Sequence, residues 1–265
     1  MTKSYPKILS GSTLKIIAVI AMIIDHIGLG IWYRLPDLGY LVPETMDLET
    51  WWSIYRIMRN IGRISFPIFA FLLVEGFIHT RSYLKYALRL FVFALISQLP
   101  FHYAFLGLAE GLNIFFTLLI GLMAMWGMDA LKKKCLSFKE NIKRLSLLCY
   151  LTGWALIVFA AGYLAKTLDT DYDYKGVLLI VVLYIFHKNR IIALITSYLS
   201  FKFAMYRSTV TAVGFLEYIG ADFYFPGFIL ACFYNGSRGL KVKYLFYFVY
   251  PAHLALIYVV WNYIM

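Results

Sequence analysis

LKIIAVIAMIIDHIGLGIWY, residues 14–33, decides what kind of protein this is. Between Lys15 and Tyr33 every residue except Asp25 and His26 is apolar or glycine. At about 1.5 Å of rise per residue, a helix of this length crosses roughly 30 Å of hydrocarbon. Lys3, Lys7 and Lys15 ahead of it imitate a secretion signal. No small-residue cleavage site follows, so the stretch is expected to stay as a first membrane span.

Composition says the same of the whole chain. Of 265 residues, 62% are hydrophobic and only 15% charged, with 22 Phe and 22 Tyr. Too few polar residues remain to cover a water-soluble globule of this size. The formal net charge of +11 does not point to nucleic acid, because Lys and Arg collect in the cytoplasmic loops of membrane proteins. Cys135, Cys149 and Cys232 are far apart, with no C-x-x-C spacing, so neither a disulfide framework nor a metal site is expected. Cys135 beside a lysine run is read as a spectator thiol.

Apolar runs bounded by charges give about nine spans, centred on Ile24, Phe71, Leu95, Leu122, Val158, Val181, Ala193 to Tyr198, Leu216 to Leu230, and Ala255. The sixth and seventh are short and flank HKNR (187–190), which suits a tight helical hairpin. The eighth is interrupted by Glu217, Gly220 and Asp222, as in a broken or re-entrant segment. Loop charge orients the set. The N-terminus, RSYLK (81–85), KKKCLSFKENIKR (132–144), HKNR and SRGLKVK (237–243) are basic, whereas PDLGYLVPETMDLE (36–49) and KTLDTDYD (166–173) are acid-rich. The expected fold is therefore an all-α polytopic bundle forming a single domain over residues 1–265, N-terminus inside and C-terminus outside. An odd span count is required to keep that alternation. TWWSIYRIMRN (50–60) reads as an interfacial helix on the outer surface. There is no internal repeat, which argues against the many transporters built on inverted repeats.

Asp25 and His26 lie where a lipid-facing helix tolerates neither. His26 is eleven residues past Lys15, about 17 Å in by helical rise. A lone Asp at that depth costs roughly 2.5–3.5 kcal/mol, so the pair is expected to face the bundle interior or a wet cavity. His253 in YPAHLALIY is nine residues past Tyr244, about 14 Å from the inner face. Arg63 and Ser65 of NIGRISFPIF and Asn113 of LNIFF lie in the outer half. Near the inner face, Arg81, Lys85 and Arg89 recur every four residues and share one helical face. On the same side YNGSRG (234–239) joins two glycines to an Arg, a grouping suited to cradling phosphate. His79, His102 and His187 fall at span ends, where interfacial placement explains them.

LKIIAVIAMIIDHIG, NIGRISFPIFAFLLVEGFIHTRSYLKYALRL with SQLPF, LNIFFTLLIG, and FYNGSRGLKVKYLFYFVYPAHLALIY together resemble the TraX family, in the family's order and over most of the chain. Residues 145–230 match mainly by hydropathy, with DYDYKGVLL as one motif-like piece. The resemblance implies a multi-pass protein of the bacterial plasma membrane that moves an acetyl group from cytosolic acetyl-CoA to an amine or hydroxyl outside, on a peptide such as a pilin N-terminus or on a sugar. It implies His26 as general base or transient acetyl carrier, Asp25 as its orienting or balancing partner, Arg63 as a contact for donor or oxyanion, and His253 as second base or relay. Arg81, Lys85, Arg89, Asn235, Arg238 and Asn113 are the candidate donor-binding residues. Expected partners are membrane lipids, acetyl-CoA and the acceptor, without metal or nucleic acid; a homo-oligomer is compatible with the sequence. Imidazole titrates near neutrality and so suits the proton transfer. Two other functions remain open from sequence: a proton-coupled transporter using Asp25, His26 and His253 as a relay, and a noncatalytic partner in envelope assembly.

Overall fold

The computed structural model describes residues 8–38, 46–136, 143–206, 223–240 and 243–263. These form α1 (Gly11–Gly30), a 3-10 turn (Trp32–Leu38), α2 (Leu48–Gly62), α3 (Ser65–Ile78), α4 (Tyr83–Ala104), α5 (Ile114–Leu136), α6 (Lys143–Thr167), α7 (Asp173–Ile185), α8 (Arg190–Met205), α9 (Phe225–Cys232) and α10 (Lys243–Tyr263), with no strand among the described residues. The protein is an all-α polytopic membrane bundle. Six stretches are long and apolar enough to cross a bilayer: Gly11–Pro36, Leu48–Ile78, Tyr83–Ala104, Ile114–Cys135, Ser146–Thr167 and Tyr244–Tyr263. Each coincides with one expected from the sequence.

The other three expected spans are shorter or partly outside the described residues. α7 and α8, 13 and 16 residues long, form the hairpin expected around HKNR. Tyr174 near the start of α7 donates its hydroxyl to the Ala204 carbonyl near the end of α8, so the two helices are antiparallel. Asn189 caps α8 by accepting from the Ile192 N–H. Of the eighth span only α9 is described, entered through Pro226 in its first turn. Glu217, Gly220 and Asp222 lie outside the described residues. α6 is almost wholly exposed, presenting Leu147, Leu151, Leu156 and Phe159, as a lipid-facing helix does.

The described residues group into two compact units, one within residues 1–72, 95–110 and 210–265, the other within 73–94 and 111–209. In the second, Leu112 and Thr170 pair as an isolated bridge beside Asn113. Tyr83 stacks on Phe77 and reaches Asp129, itself paired with Lys133 at 2.8 Å.

Two registers organise the first unit. α2 and α3 run antiparallel to α1: Trp51 stacks on Trp32, Met58 lies against Gly28, Arg59 and Gly62 face Asp25, and Ser65 Oγ donates to the Ala18 carbonyl. The segment expected to lie flat on the outer surface is thus a helix standing alongside α1, because Gly28 and Gly62 let two backbones approach closely. Asp47 begins α2 by accepting from the Thr50 N–H at 2.9 Å. Hydrogen bonds from Thr50 hold this carboxyl below the usual range, so the cap persists through that range and is lost only as pH falls beneath it.

α10 runs parallel to α1. His253 meets His26, Ile257 fills the space over Gly30, and Trp261 lies under the Arg34 guanidinium, in matched steps of four residues.

Gly62 offers a test of the α1–α2 contact. A Cβ there would fall on the Asp25 carboxylate, so Gly62→Ala must part the helices or turn Asp25 aside. Overpacking of this kind costs about 1–3 kcal/mol. The variant is expected to unfold at lower temperature in detergent. Gly127→Ala, whose Cβ would meet Ile157 at an ordinary 3.5 Å, is expected to be neutral or stabilising.

Candidate functional site

α1 brings Asp25 and His26 to one level, and the parallel register with α10 sets His253 against them. The two imidazoles are near-parallel, with centroids 4.9 Å apart and planes inclined by 13°. His26 Nδ1 and His253 Nε2 are 2.6 Å apart. Phe105 and Tyr250 present their rings edge-on to His26 at 5.1 and 6.0 Å, walling the pair with apolar surface. His26 and Asp25 keep only 14% and 17% of their side-chain surface exposed, the partial access a reacting group needs.

The hydrogen bonds fix where the protons sit. His253 Nδ1 lies 2.7 Å from the Val249 carbonyl, which can only accept, so Nδ1 carries a hydrogen. In neutral His253 that leaves Nε2 as an acceptor, and His26 Nδ1 must donate to it. His26 Nε2 then holds the free lone pair. It faces Asp25 Oδ2 at 4.0 Å, too far for a direct bond but close enough to favour a proton arriving between them. Asp25 is itself held by Arg59 through a 2.8 Å charge-assisted bond. The arrangement is thus an oriented base, a second imidazole that selects its tautomer, and an anchored carboxylate that stabilises the protonated form.

Arg59 was hidden in the sequence because its segment read as an interfacial helix. The signal was present nonetheless: Arg59 and Arg63 are four residues apart, around Gly62, in a segment next to a span carrying a single acid. Arg63, expected near donor or oxyanion, ends α2 and donates to the Tyr224 hydroxyl at 2.9 Å, with its guanidinium 5.5 Å from that ring. Ser65 is buried and bonded to α1, a packing contact.

Asn113 lies immediately before α5, in the second unit. It is fully buried, its amide donates to the Ala94 carbonyl at 2.8 Å, and its Oδ1 accepts from the Phe115 N–H at the start of α5. Arg81, Lys85 and Arg89 belong to the second unit, Arg81 just before α4 and the other two on its first half. Arg81 and Lys85 are exposed, whereas Arg89 is half-buried over Tyr86 with a buried Nε that lacks a hydrogen-bond partner. Asn235 and Arg238 belong to the first unit, in a loop that closes the start of α1. Gly11 and Ser12 N–H groups donate to the Ser237 and Arg238 carbonyls, the Leu240 N–H donates to Ser12 Oγ, and Asn235 Oδ1 accepts from Ser237. Gly236 and Gly239 take φ of +80° and +69°, the left-handed backbone for which glycine is suited. Much of the loop therefore caps a helix, and the Arg238 side chain remains exposed.

Residues 10–261 match the family described as TraX protein. A relative, "Probable fimbrial assembly protein FimC, serogroup H1" of Dichelobacter nodosus, is 28% identical over 272 aligned residues, covering 94% of each chain. No solved structure matches.

Proposed function

Because this chain belongs to the TraX family, we propose that it is a membrane-embedded acetyltransferase, carrying acetyl from cytosolic acetyl-CoA to an amine or hydroxyl on the extracytoplasmic side of the bacterial plasma membrane. The observation that carries this is the free Nε2 lone pair of His26, oriented through His253 and set beside Asp25. The acceptor nitrogen or oxygen attacks the thioester carbon, its proton passes to His26 Nε2, and the C–S bond breaks as the proton returns to the leaving sulfur. The developing imidazolium is balanced by Asp25. The relative's description as a fimbrial assembly protein favours a pilin-type peptide over a sugar as acceptor. Mass spectrometry of surface peptides and glycans, with and without the protein, tests the activity through loss of an acetyl mark of about 42 Da. Flux that follows a proton gradient without acetyl-CoA would instead identify a transporter using the same His–His chain. Pilus or envelope assembly that survives substitution of both histidines would leave an assembly role.

Donor phosphates are proposed to rest on Arg81, Lys85 and Arg89, where the unpartnered Arg89 Nε supplies a ready donor. The Arg81→Ala/Arg89→Ala variant is expected to bind acetyl-CoA more weakly and with less salt dependence, each lost contact costing about 1.5–3 kcal/mol. Arg238→Ala asks separately whether the YNGSRG loop takes part. Unchanged affinity in all of these moves the donor elsewhere.

The nine-span, N-inside topology is tested by labelling. A cysteine at Asp171 is expected to react with an impermeant thiol reagent outside intact cells, and one at Lys133 only after permeabilisation. Reaction of the Lys133 position from outside inverts the whole assignment.

A further inference from the structure

In the 3-10 turn after α1, beyond the histidines, a cation is fixed in place without an anion among the described residues. The Arg34 guanidinium lies 4.7 Å from the centre of the Trp261 ring and donates through one Nη to the Leu106 carbonyl at 3.1 Å. Its other Nη is buried and has no hydrogen-bond partner, and no described carboxylate pairs with it. One Nη is thus shielded from water while the rest of the guanidinium lies nearer the surface. A second buried donor without a partner, the indole N–H of Trp51, lies at the same end, where Trp51 stacks on Trp32. Leaving such donors unsatisfied is costly, so a group that accepts from them is favoured there.

The position relates this end to the chemistry. Arg34 and Trp261 are each eight residues beyond His26 and His253, Arg34 in the 3-10 turn that follows α1 and Trp261 about 12 Å further along α10, and Leu106 follows the Phe105 that walls His26. Under the N-inside orientation this is the face from which the acceptor arrives. The geometry points to Arg34 as the anchor of an acceptor subsite that takes a carboxylate. The subsite rests on the transfer reading for its role, not for its chemistry. Fixed in advance by Trp261 and Leu106, the guanidinium loses little freedom on binding, and its charge and fork of donors favour a carboxylate over a neutral hydroxyl.

Two measurements on the full-length purified protein test this. In the first, Gly-Glu and Gly-Gln dipeptides amidated at the C-terminus serve as acceptor probes, so that the side-chain carboxylate of the first is the one carboxylate present and is an amide in the second. Wild type is expected to acetylate Gly-Glu with the lower KM. Arg34→Gln is expected to raise that KM about tenfold, toward the Gly-Gln value, with kcat little changed. Equal effects on both probes would overturn the assignment. The second needs no turnover: glutarate, against chloride at equal ionic strength in an uncharged detergent, is expected to raise the unfolding temperature of wild type and of the exposed-site variant Arg56→Gln, but not of Arg34→Gln. Absence of the glutarate effect in wild type, or its persistence in Arg34→Gln, also sinks the subsite. If neither dipeptide is acetylated while the Arg34-dependent glutarate effect is seen, the carboxylate site stands and the transferase reading falls. Native mass spectrometry in phosphatidylglycerol nanodiscs separates the remaining source of anions. A phospholipid lost on Arg34→Gln, with no response to glutarate, makes Arg34 a lipid-phosphate site and refutes the acceptor role.

Discussion

Replacing His26 with Ala is expected to lower acetyl transfer by about 10²–10⁴ while the protein stays folded and still binds acetyl-CoA. The loss follows from the proton inventory of the site. His26 Nδ1 is committed to His253, and only Nε2 remains to take a proton from the acceptor. Alanine removes that lone pair and the charge that forms on it, without touching the candidate phosphate contacts on α4. A larger loss, together with disappearance of an acetylated enzyme species in rapid-quench mass spectrometry, would indicate that His26 carries the acetyl group covalently. Asp25→Asn is expected to be milder, since an amide can still orient a neighbour although it no longer balances an imidazolium. The comparison is acetylated product formed per folded enzyme at saturating acetyl-CoA. Near-equal turnover in wild type and His26→Ala removes His26 from the mechanism and reduces the Asp25–His26 pair to packing.

The second large effect is expected at His253, and its cause is orientation. Leucine at this position fills the space but leaves the His26 Nδ1–H without an acceptor inside an apolar wall of Phe105 and Tyr250. An unsatisfied buried donor costs about 1–3 kcal/mol, which biases His26 toward another rotamer or the other tautomer and translates to a fall in kcat of roughly 10–100-fold. His253→Gln keeps an oxygen that can accept and is expected to recover much of the activity. KM for the acceptor is expected to change little in either variant. If Leu and Gln are equally damaging, His253 does more than select a tautomer and must exchange protons itself.

The residues of the site were legible one at a time, and their meeting was not. Asp25, His26 and His253 stand out because ionisable groups at membrane depth are expensive, a one-residue argument that needs only the span boundaries. That His26 and His253 touch depends on the parallel course of α1 and α10, a packing register with no local imprint. Arg59 shows the opposite difficulty: its charge helped to make a buried-side helix look like a surface one. Asn113 illustrates a related point. A polar residue in an apolar context suggested chemistry, but an Asn immediately before a helix more simply satisfies backbone groups, as it does for Ala94 and Phe115. The 187–190 hairpin, by contrast, was visible because two short apolar runs around a polar tetrad leave the chain little alternative.

The parallel packing of α1 against α10 also says when the protein becomes active. The two imidazoles are 227 residues apart in the chain, as far as the amide of Leu240 is from the Ser12 hydroxyl that it reaches across the start of α1, within one residue. During synthesis, α1 enters the membrane first, with Asp25 and His26 on it, and waits while the intervening helices are made and inserted. Arg59 arrives soon after and can shield the acid. His26 gains its partner imidazole only when α10 inserts, after the helices between them. An interrupted chain therefore leaves His26 without the imidazole it pairs with.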